Sequence, residues 1–205
     1  MRRVAKGLHA TGVLTGTGAA DDDASMPVIS PAPTDPALTT DRLALRELGP
    51  QDAAFILELL NDADFLRHIG DRGVRTVEQA RLYIVEGPMA SYRDHGFGLW
   101  CVELRESSSS IGICGLLRRE YLDAPDIGYA FLPAWRGRGH ALEACQAVMA
   151  HAHGRLGLQR VLAIVASEND ASIRLLGKLG LRFERMLRRD DEELRLFAWN
   201  HGNAG

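Results

Sequence analysis

A glycine-rich turn, Arg136–Ala141, joins a short apolar run to a long amphipathic segment. The apolar run covers residues 127–132, and after the turn apolar residues recur every three or four positions. This succession predicts a strand, a tight turn and a helix, a layout that presents backbone N–H groups to an anion. The first N–H groups of such a helix have no partner within the helix, and its dipole adds positive charge there. The turn therefore predicts a site for an anion.

The residues within the turn also suit an anion. Gly137 and Gly139 lack a Cβ atom, so that a phosphate can approach the main chain, and Arg136 and Arg138 add positive charge at the rim. The spacing does not fit the dinucleotide pattern, which needs a third glycine, or the P-loop, which ends in Lys-Ser or Lys-Thr. A solvated Arg-Gly loop is the alternative interpretation.

The composition is that of one globular domain behind a different N-terminal segment. The chain has 205 residues, of which 46% are hydrophobic, and its net charge of −3 argues against nucleic-acid binding. Residues 1–40 are poor in large apolar side chains, which predicts a disordered leader, a domain over 41–200 and a tail over 201–205. Met1 and Met26 are both candidate first residues. No stretch is long and apolar enough to span a membrane.

Cysteines and histidines give no sign of a metal site. Cys101, Cys114 and Cys145 lie in apolar runs without a C-x-x-C pair, which predicts buried, reduced thiols in a cytoplasmic protein. His151 and His153 are two positions apart on the predicted helix and therefore do not share a face. We expect both histidines at the surface and no bound metal.

Periodicity and turn residues predict the element order β-α-α-β-β-β-α-β-α-β-β. Strands are expected at 42–46, 97–104, 111–117, 126–132, 161–165, 183–189 and 194–199. Helices are expected after Pro50, after the capping box at Thr76, after the glycine-rich turn and after Asn169.

One further motif lies ahead of the turn and two lie downstream of it. The strand ahead of the turn reads Asp-Ile-Gly-Tyr-Ala-Phe-Leu-Pro-Ala-Trp (126–135), and downstream come Ser-Glu-Asn-Asp-Ala-Ser (167–172) and Leu-Gly-Leu-Arg-Phe (179–183). Together these motifs resemble the GNAT N-acetyltransferase superfamily, most closely its RimJ/RimL-like branch, over residues 43–199. The resemblance implies the GNAT fold, an α/β domain with a central mixed sheet flanked by helices.

The resemblance implies acetyl-CoA as cosubstrate. Arg136, Gly139 and Ala141 match the family's Arg/Gln-x-x-Gly-x-Gly/Ala motif, which holds the CoA pyrophosphate. Asn169 and Ser172 match its Asn-x-x-Ser motif, and the main chain of the preceding strand runs beside the pantetheine amides. The implied cofactor-binding residues are Ala130, Phe131, Leu132, Arg136, Gly137, Arg138, Gly139, His140, Ala141, Asn169 and Ser172.

The resemblance also implies direct transfer of the acetyl group to a primary amine, without an acyl-enzyme. Ser172 is then the candidate proton donor to the leaving thiolate, and Tyr129 is a second candidate hydroxyl. Asp126 is a candidate general base, as are Glu103 and the acidic turn at 191–193. For each carboxylate the alternative is a solvated group at a strand edge, and for Ser172 it is a place at the helix start.

The acceptor is left open between a protein N-terminus and a small amine. In the family, the region corresponding to the loop at 70–75 covers the acceptor pocket, so that Asp71, Arg72 and Arg75 are candidate acceptor contacts; a solvated connector is the alternative. A monomer or homodimer is expected, without nucleic acid or membrane as partner. A non-catalytic acyl-CoA-binding sensor is the rival function, and an Arg-Gly nucleic-acid module is a third.

Overall fold

The computed structural model describes residues 36–189 and 192–202. The strands are β1 (Leu38–Thr39), β2 (Leu43–Arg46), β3 (Leu99–Leu104), β4 (Ser110–Leu117), β5 (Asp126–Phe131), β6 (Arg160–Ala166), β7 (Arg182–Arg189) and β8 (Glu192–Asn200). The helices are α1 (Ala53–Leu60), α2 (Ala63–His68), α3 (Val77–Ile84), α4 (Ala90–His95), α5 (His140–Gly154) and α6 (Asp170–Lys178). Single turns of 3₁₀-helix occupy Pro50–Asp52 and Pro133–Trp135, and Val85–Met89 form a π-helical turn.

One mixed sheet contains all eight strands, in the order β1-β2-β3-β4-β5-β6-β8-β7. Every neighbouring pair is antiparallel except β5 and β6, which are parallel. Side chains alternate between the two faces of a strand. Ile127 and Phe131 of β5 pack with buried residues of α5 and α6, whereas Ala130 packs with α1 and α3 on the opposite face. The sheet is thus flanked by helices, as the sequence predicted.

The sheet opens between its two parallel strands. β5 pairs with β4 along its whole length, from Asp126 to Phe131, and β6 pairs with β8 over Arg160–Ala166. Between β5 and β6, however, the ladder contains only the Asp126–Leu162 pair. The two strands therefore start together and separate towards their carboxyl ends. This leaves a cleft whose apex lies at Asp126 and whose mouth faces the turn before α5.

The predicted strands and main helices are confirmed, with boundaries shifted by one or two residues. Thr76 caps α3 in a capping box with Gln79, and Asn169 caps α6 through its side chain. Three elements escaped the sequence analysis: β1, α2 and the π-helical turn with α4. Because β1 begins at Leu38, the ordered fold starts before residue 41. Residues 1–35 and 203–205 lie outside the described part of the chain, so the predicted leader stays a prediction.

The cysteines are buried and free, as predicted. The expectation for the two histidines of α5 was wrong, because both are half-buried against aromatic rings. His151 stands edge-on to Trp100 at 5.3 Å between ring centroids, and His153 stacks on His201 at 4.0 Å. Among residues 36–189 and 192–202, no helix is long and apolar enough to cross a membrane.

Candidate active site

The glycine-rich turn lies at the mouth of the cleft. Gly137 and Gly139 have φ angles of +71° and +82°, in the left-handed region that glycine adopts without steric cost. Gly139 is the N-cap of α5, and no side chain caps this helix. Its first N–H groups therefore lack both a helical and a side-chain partner, which is the arrangement that attracts an anion.

Arg136 is engaged within the protein. Its N–H donates to Pro133 O at 3.2 Å, and its Nε donates to Phe131 O at 2.8 Å. The guanidinium also pairs with Asp62, the N-cap of α2, and with Asp64 Oδ2 at 2.6 Å. Arg136 was predicted as a cofactor-binding residue with its charge at the rim. In the structure its side chain holds the turn and α2 together, and its role in cofactor binding stays a prediction.

The neighbours of Gly139 support the turn in different ways. Arg138 is exposed, and its guanidinium carbon lies 5.3 Å from the centre of the Trp135 ring. Its positive charge is therefore available at the rim. His140 is buried, with Nδ1 3.4 Å from Trp135 O, so its side chain braces the turn from inside. Ala141 is half-buried in the first turn of α5.

Two hydroxyls meet on the side of the cleft formed by α6. Asn169 Oδ1 accepts the N–H of Ser172 at 3.0 Å and thereby fixes the start of α6. Burial raises the pKa of Tyr129, and the nearby Ser172 side chain partly offsets that rise. The Tyr129 hydroxyl is buried and has no hydrogen-bond partner of ordinary geometry within residues 36–189 and 192–202. The two hydroxyls, predicted as separate candidates, thus lie near each other, and that of Tyr129 has unused hydrogen-bonding capacity.

Asp126 lies at the apex of the cleft. It is 2% exposed, and both of its carboxylate oxygens accept from Arg119 Nε, at 2.9 and 3.0 Å. Burial raises the pKa of Asp126, while the charge of Arg119 and its hydrogen bonds act in the opposite direction. Asp126 is therefore a buried, paired carboxylate rather than a solvated group. Arg119 had not been singled out in the sequence.

The predicted acceptor loop has an internal ion pair. Asp71 Oδ2 accepts from Arg75 Nη2 at 2.5 Å, and both side chains are about half exposed. Arg72 is exposed as well. Burial raises the pKa of Tyr83 on α3, and the charges of Arg72 and Arg119 partly offset this rise.

The remaining candidate bases that the structure describes have partners of their own. Glu103 on β3 accepts from Arg46 Nε and Nη2, at 3.0 and 2.7 Å, and belongs to a network with the buried Asp52. Asp191 lies outside the described residues, and Glu193 is exposed beside Arg188. Within the described ranges, no group of three or more His, Cys, Asp or Glu side chains could hold a metal ion.

The mixed sheet thus opens beside an uncapped helix start, a kind of position at which anions bind in proteins. An acetyltransferase (GNAT) domain matches residues 42–182. The uncharacterized N-acetyltransferase YoaA of Bacillus subtilis (strain 168) is 34% identical over 155 residues, which cover 75% of this chain and 86% of YoaA. The chain therefore belongs to the GNAT acetyltransferase family and is an acyltransferase.

Solved structures agree with this assignment. A GNAT-family acetyltransferase from Bordetella pertussis superimposes with a TM-score of 0.67 at 29% identity, over 78% of this chain and 97% of that one. RimJ of Mycobacterium smegmatis, solved in complex with CoA-disulfide, gives a TM-score of 0.67 at 22% identity, over 78% and 82% of the two chains. At 22% identity, the similarity to RimJ shows a shared fold alone.

Proposed function

We propose that this protein transfers an acetyl group from acetyl-CoA directly to a primary amine, either a peptide α-amine or a small amine. The observation that carries the proposal is the cleft between β5 and β6. An uncapped helix start lies at its mouth, two hydroxyls line its α6 side, and a buried carboxylate lies at its apex. A long ligand that is anchored at the mouth by its phosphates places its far end between these groups.

The N-terminal turn of α5 supplies donors for the pyrophosphate of CoA. Gly137 and Gly139 leave the main chain accessible, and Arg138 adds a free positive charge. Asn169 keeps its Nδ2 donors while its oxygen caps α6. At the end of β5 the Leu132 N–H is already used, because it donates to Ile111 O at 2.9 Å. Enzymes of this family act on an amine acceptor.

The reaction needs two proton movements. The neutral amine nitrogen attacks the thioester carbonyl carbon, the C–N bond forms and the C–S bond breaks. The nitrogen loses a proton, which we assign to Asp126, and the leaving thiolate gains a proton, which we assign to Ser172. An α-amine with a pKa of about 7.7–8.0 is partly neutral at pH 7.5, whereas a lysine amine near 10.4 is almost fully protonated. We therefore expect α-amines to be better acceptors than lysine side chains.

Mass spectrometry of acceptors tests the function. The protein is incubated with acetyl-CoA and three acceptor sets: peptides with free N-termini, N-terminally blocked lysine peptides and small primary amines. Enzymatic transfer is expected to add one acetyl group to an acceptor and to release one CoA thiol per transfer. Tight CoA binding without transfer to any set would support the acyl-CoA sensor instead, and no CoA binding would contradict both.

Substitution of Asp126 tests its role as the base. Asp126→Asn is expected to lower kcat by roughly 10²–10⁴, the range for a lost acid–base group, and to abolish the fall in rate as the pH drops through the pKa of the carboxyl. The substitution also leaves Arg119 without its charged partner, which destabilises a fold by about 3–5 kcal/mol.

Asp52→Asn is the matched control for this loss of a buried ion pair. Asp52 is 6% exposed and accepts two hydrogen bonds from Arg46, away from the cleft. It is expected to lower stability while turnover per folded molecule stays unchanged. Equal losses of turnover in the two variants would remove Asp126 from the mechanism.

A further inference from the structure

The Glu143 carboxylate, in the first turn of α5, binds residues of the turn between β1 and β2. Glu143 Oε1 accepts from Thr40 Oγ1 at 2.6 Å and from the N–H of Arg42 at 3.0 Å. Its Oε2 accepts from Arg42 Nε at 2.6 Å and pairs with Nη2 at the same distance. Burial opposes ionisation of Glu143, but these hydrogen bonds outweigh it and lower the pKa of the carboxyl. Arg42 is thus held in one orientation.

The remaining arm of Arg42 reaches the glycine-rich turn. Nη1 donates to the carbonyl oxygen of Arg138 at 3.0 Å. The guanidinium also packs against the next residue, because a Cβ atom on Gly139 would lie 3.3 Å from Arg42 Nη2. Arg42 therefore holds the carbonyl half of the peptide unit between Arg138 and Gly139 and lies close to Gly139.

The hydrogen bond from Arg42 to the Arg138 carbonyl also fixes the direction of the Gly139 N–H. In a planar trans peptide the C=O and the N–H point in opposite directions. Once the Arg138 carbonyl is held by Arg42, the Gly139 N–H must point away from Arg42, towards the open side of the turn. A charged donor on the carbonyl oxygen also polarises the peptide and makes the N–H a stronger donor.

We propose that Arg42 is a positioning residue for the anion-binding turn, and that Thr40 and Glu143 hold it in place. In this role Arg42 does not contact the ligand, but orients and polarises the Gly139 N–H that would meet a phosphate of CoA. The part that concerns CoA rests on the proposed function. The part that concerns the turn does not, because it follows from contacts within the chain.

Arg42→Ala tests the proposal with two measurements. Calorimetry with CoA is expected to show an affinity about tenfold weaker than that of the unaltered protein. Amide hydrogen exchange without ligand is expected to be faster in residues 136–140, while the strands of the sheet keep their protection. Arg42→Lys keeps the charge for Glu143 but lacks the second arm, so it is expected to rescue stability more than CoA affinity.

Arg105→Ala is the matched control. Arg105 Nη1 donates to Thr40 O at 2.9 Å and to Asp41 O at 3.2 Å, so this arginine also supports the β1–β2 turn. Its side chain makes no hydrogen bond or ion pair with residues 136–141. Its removal is expected to leave CoA affinity and exchange at 136–140 unchanged. Equal effects of Arg42→Ala and Arg105→Ala would overturn the proposal in favour of general support of the turn.

The two measurements separate the proposal from the function on which it partly rests. Unchanged exchange at 136–140 in Arg42→Ala would overturn the positioning role whatever CoA does. Faster exchange there, in a protein that does not bind CoA even when unaltered, would support the contact with the turn and contradict the proposed function. Faster exchange with unchanged CoA affinity would overturn the role in ligand binding.

Discussion

Gly139→Val is expected to abolish measurable CoA binding, with a loss of affinity of at least 100-fold, or about 2.8 kcal/mol. Gly139 has a φ of +82°, a conformation that a β-branched residue adopts only with strain. A Cβ atom there would also press on Arg42 Nη2 at 3.3 Å, and the added methyl groups would occupy space beside the N–H that we propose as a phosphate contact. Calorimetric titration with CoA measures the effect.

Gly157→Val controls for the backbone strain. Gly157 lies just beyond α5, has a φ of +65°, and has no atom within 4 Å of an added Cβ. Both substitutions are expected to cost about 1–2 kcal/mol of folding stability, since both place a side chain in the left-handed region. Only Gly139→Val is expected to lose CoA. Similar CoA affinities in the two variants would show that the turn before α5 does not bind the phosphates.

Local patterns in the sequence were sufficient to predict the strands and helices, but not the cleft between β5 and β6. Strands and helices follow from short-range periodicity, and the caps at Thr76 and Asn169 follow from adjacent residues. The separation of β5 from β6 is different, because both strands are apolar along their length and would read the same if fully paired. The mixed sheet itself was implied by the resemblance to a family, not by periodicity.

The contacts that support the candidate site were missed because they join distant parts of the chain. Arg136 pairs with Asp62 and Asp64, 74 and 72 positions earlier, and Arg42 pairs with Glu143 across 101 positions. Each of these charged residues reads as solvated when only its neighbours in the sequence are considered. Arg136 also shows that a motif match can identify a position while leaving the role of its side chain undetermined.

Ser172→Ala is expected to lower kcat by roughly 10²–10⁴ with little change in CoA affinity, because a lost proton donor affects the transition state and not the bound ground state. Asn169→Ala is expected to do the opposite and weaken CoA binding, and it also removes a helix cap worth about 1 kcal/mol. Asn169→Asp keeps the cap and separates the two effects. Near-normal kcat in Ser172→Ala would move the proton donor elsewhere.

Tyr129 determines how a variant that carries both Ser172→Ala and Tyr129→Phe behaves. Its buried hydroxyl has unused hydrogen-bonding capacity beside Ser172. In a relay it passes its proton to the serine oxygen as the serine proton goes to the thiolate, and a proton from solvent restores the tyrosine hydroxyl, whose ionised form burial disfavours. If the two hydroxyls form one relay, Tyr129→Phe lowers kcat less than Ser172→Ala does, and the double variant is no slower than Ser172→Ala alone. Groups that act as a unit are non-additive in this way. Losses that multiply in the double variant would contradict the relay, and a larger loss in Tyr129→Phe would make Tyr129 the donor, because its proton would then reach the thiolate without passing through Ser172.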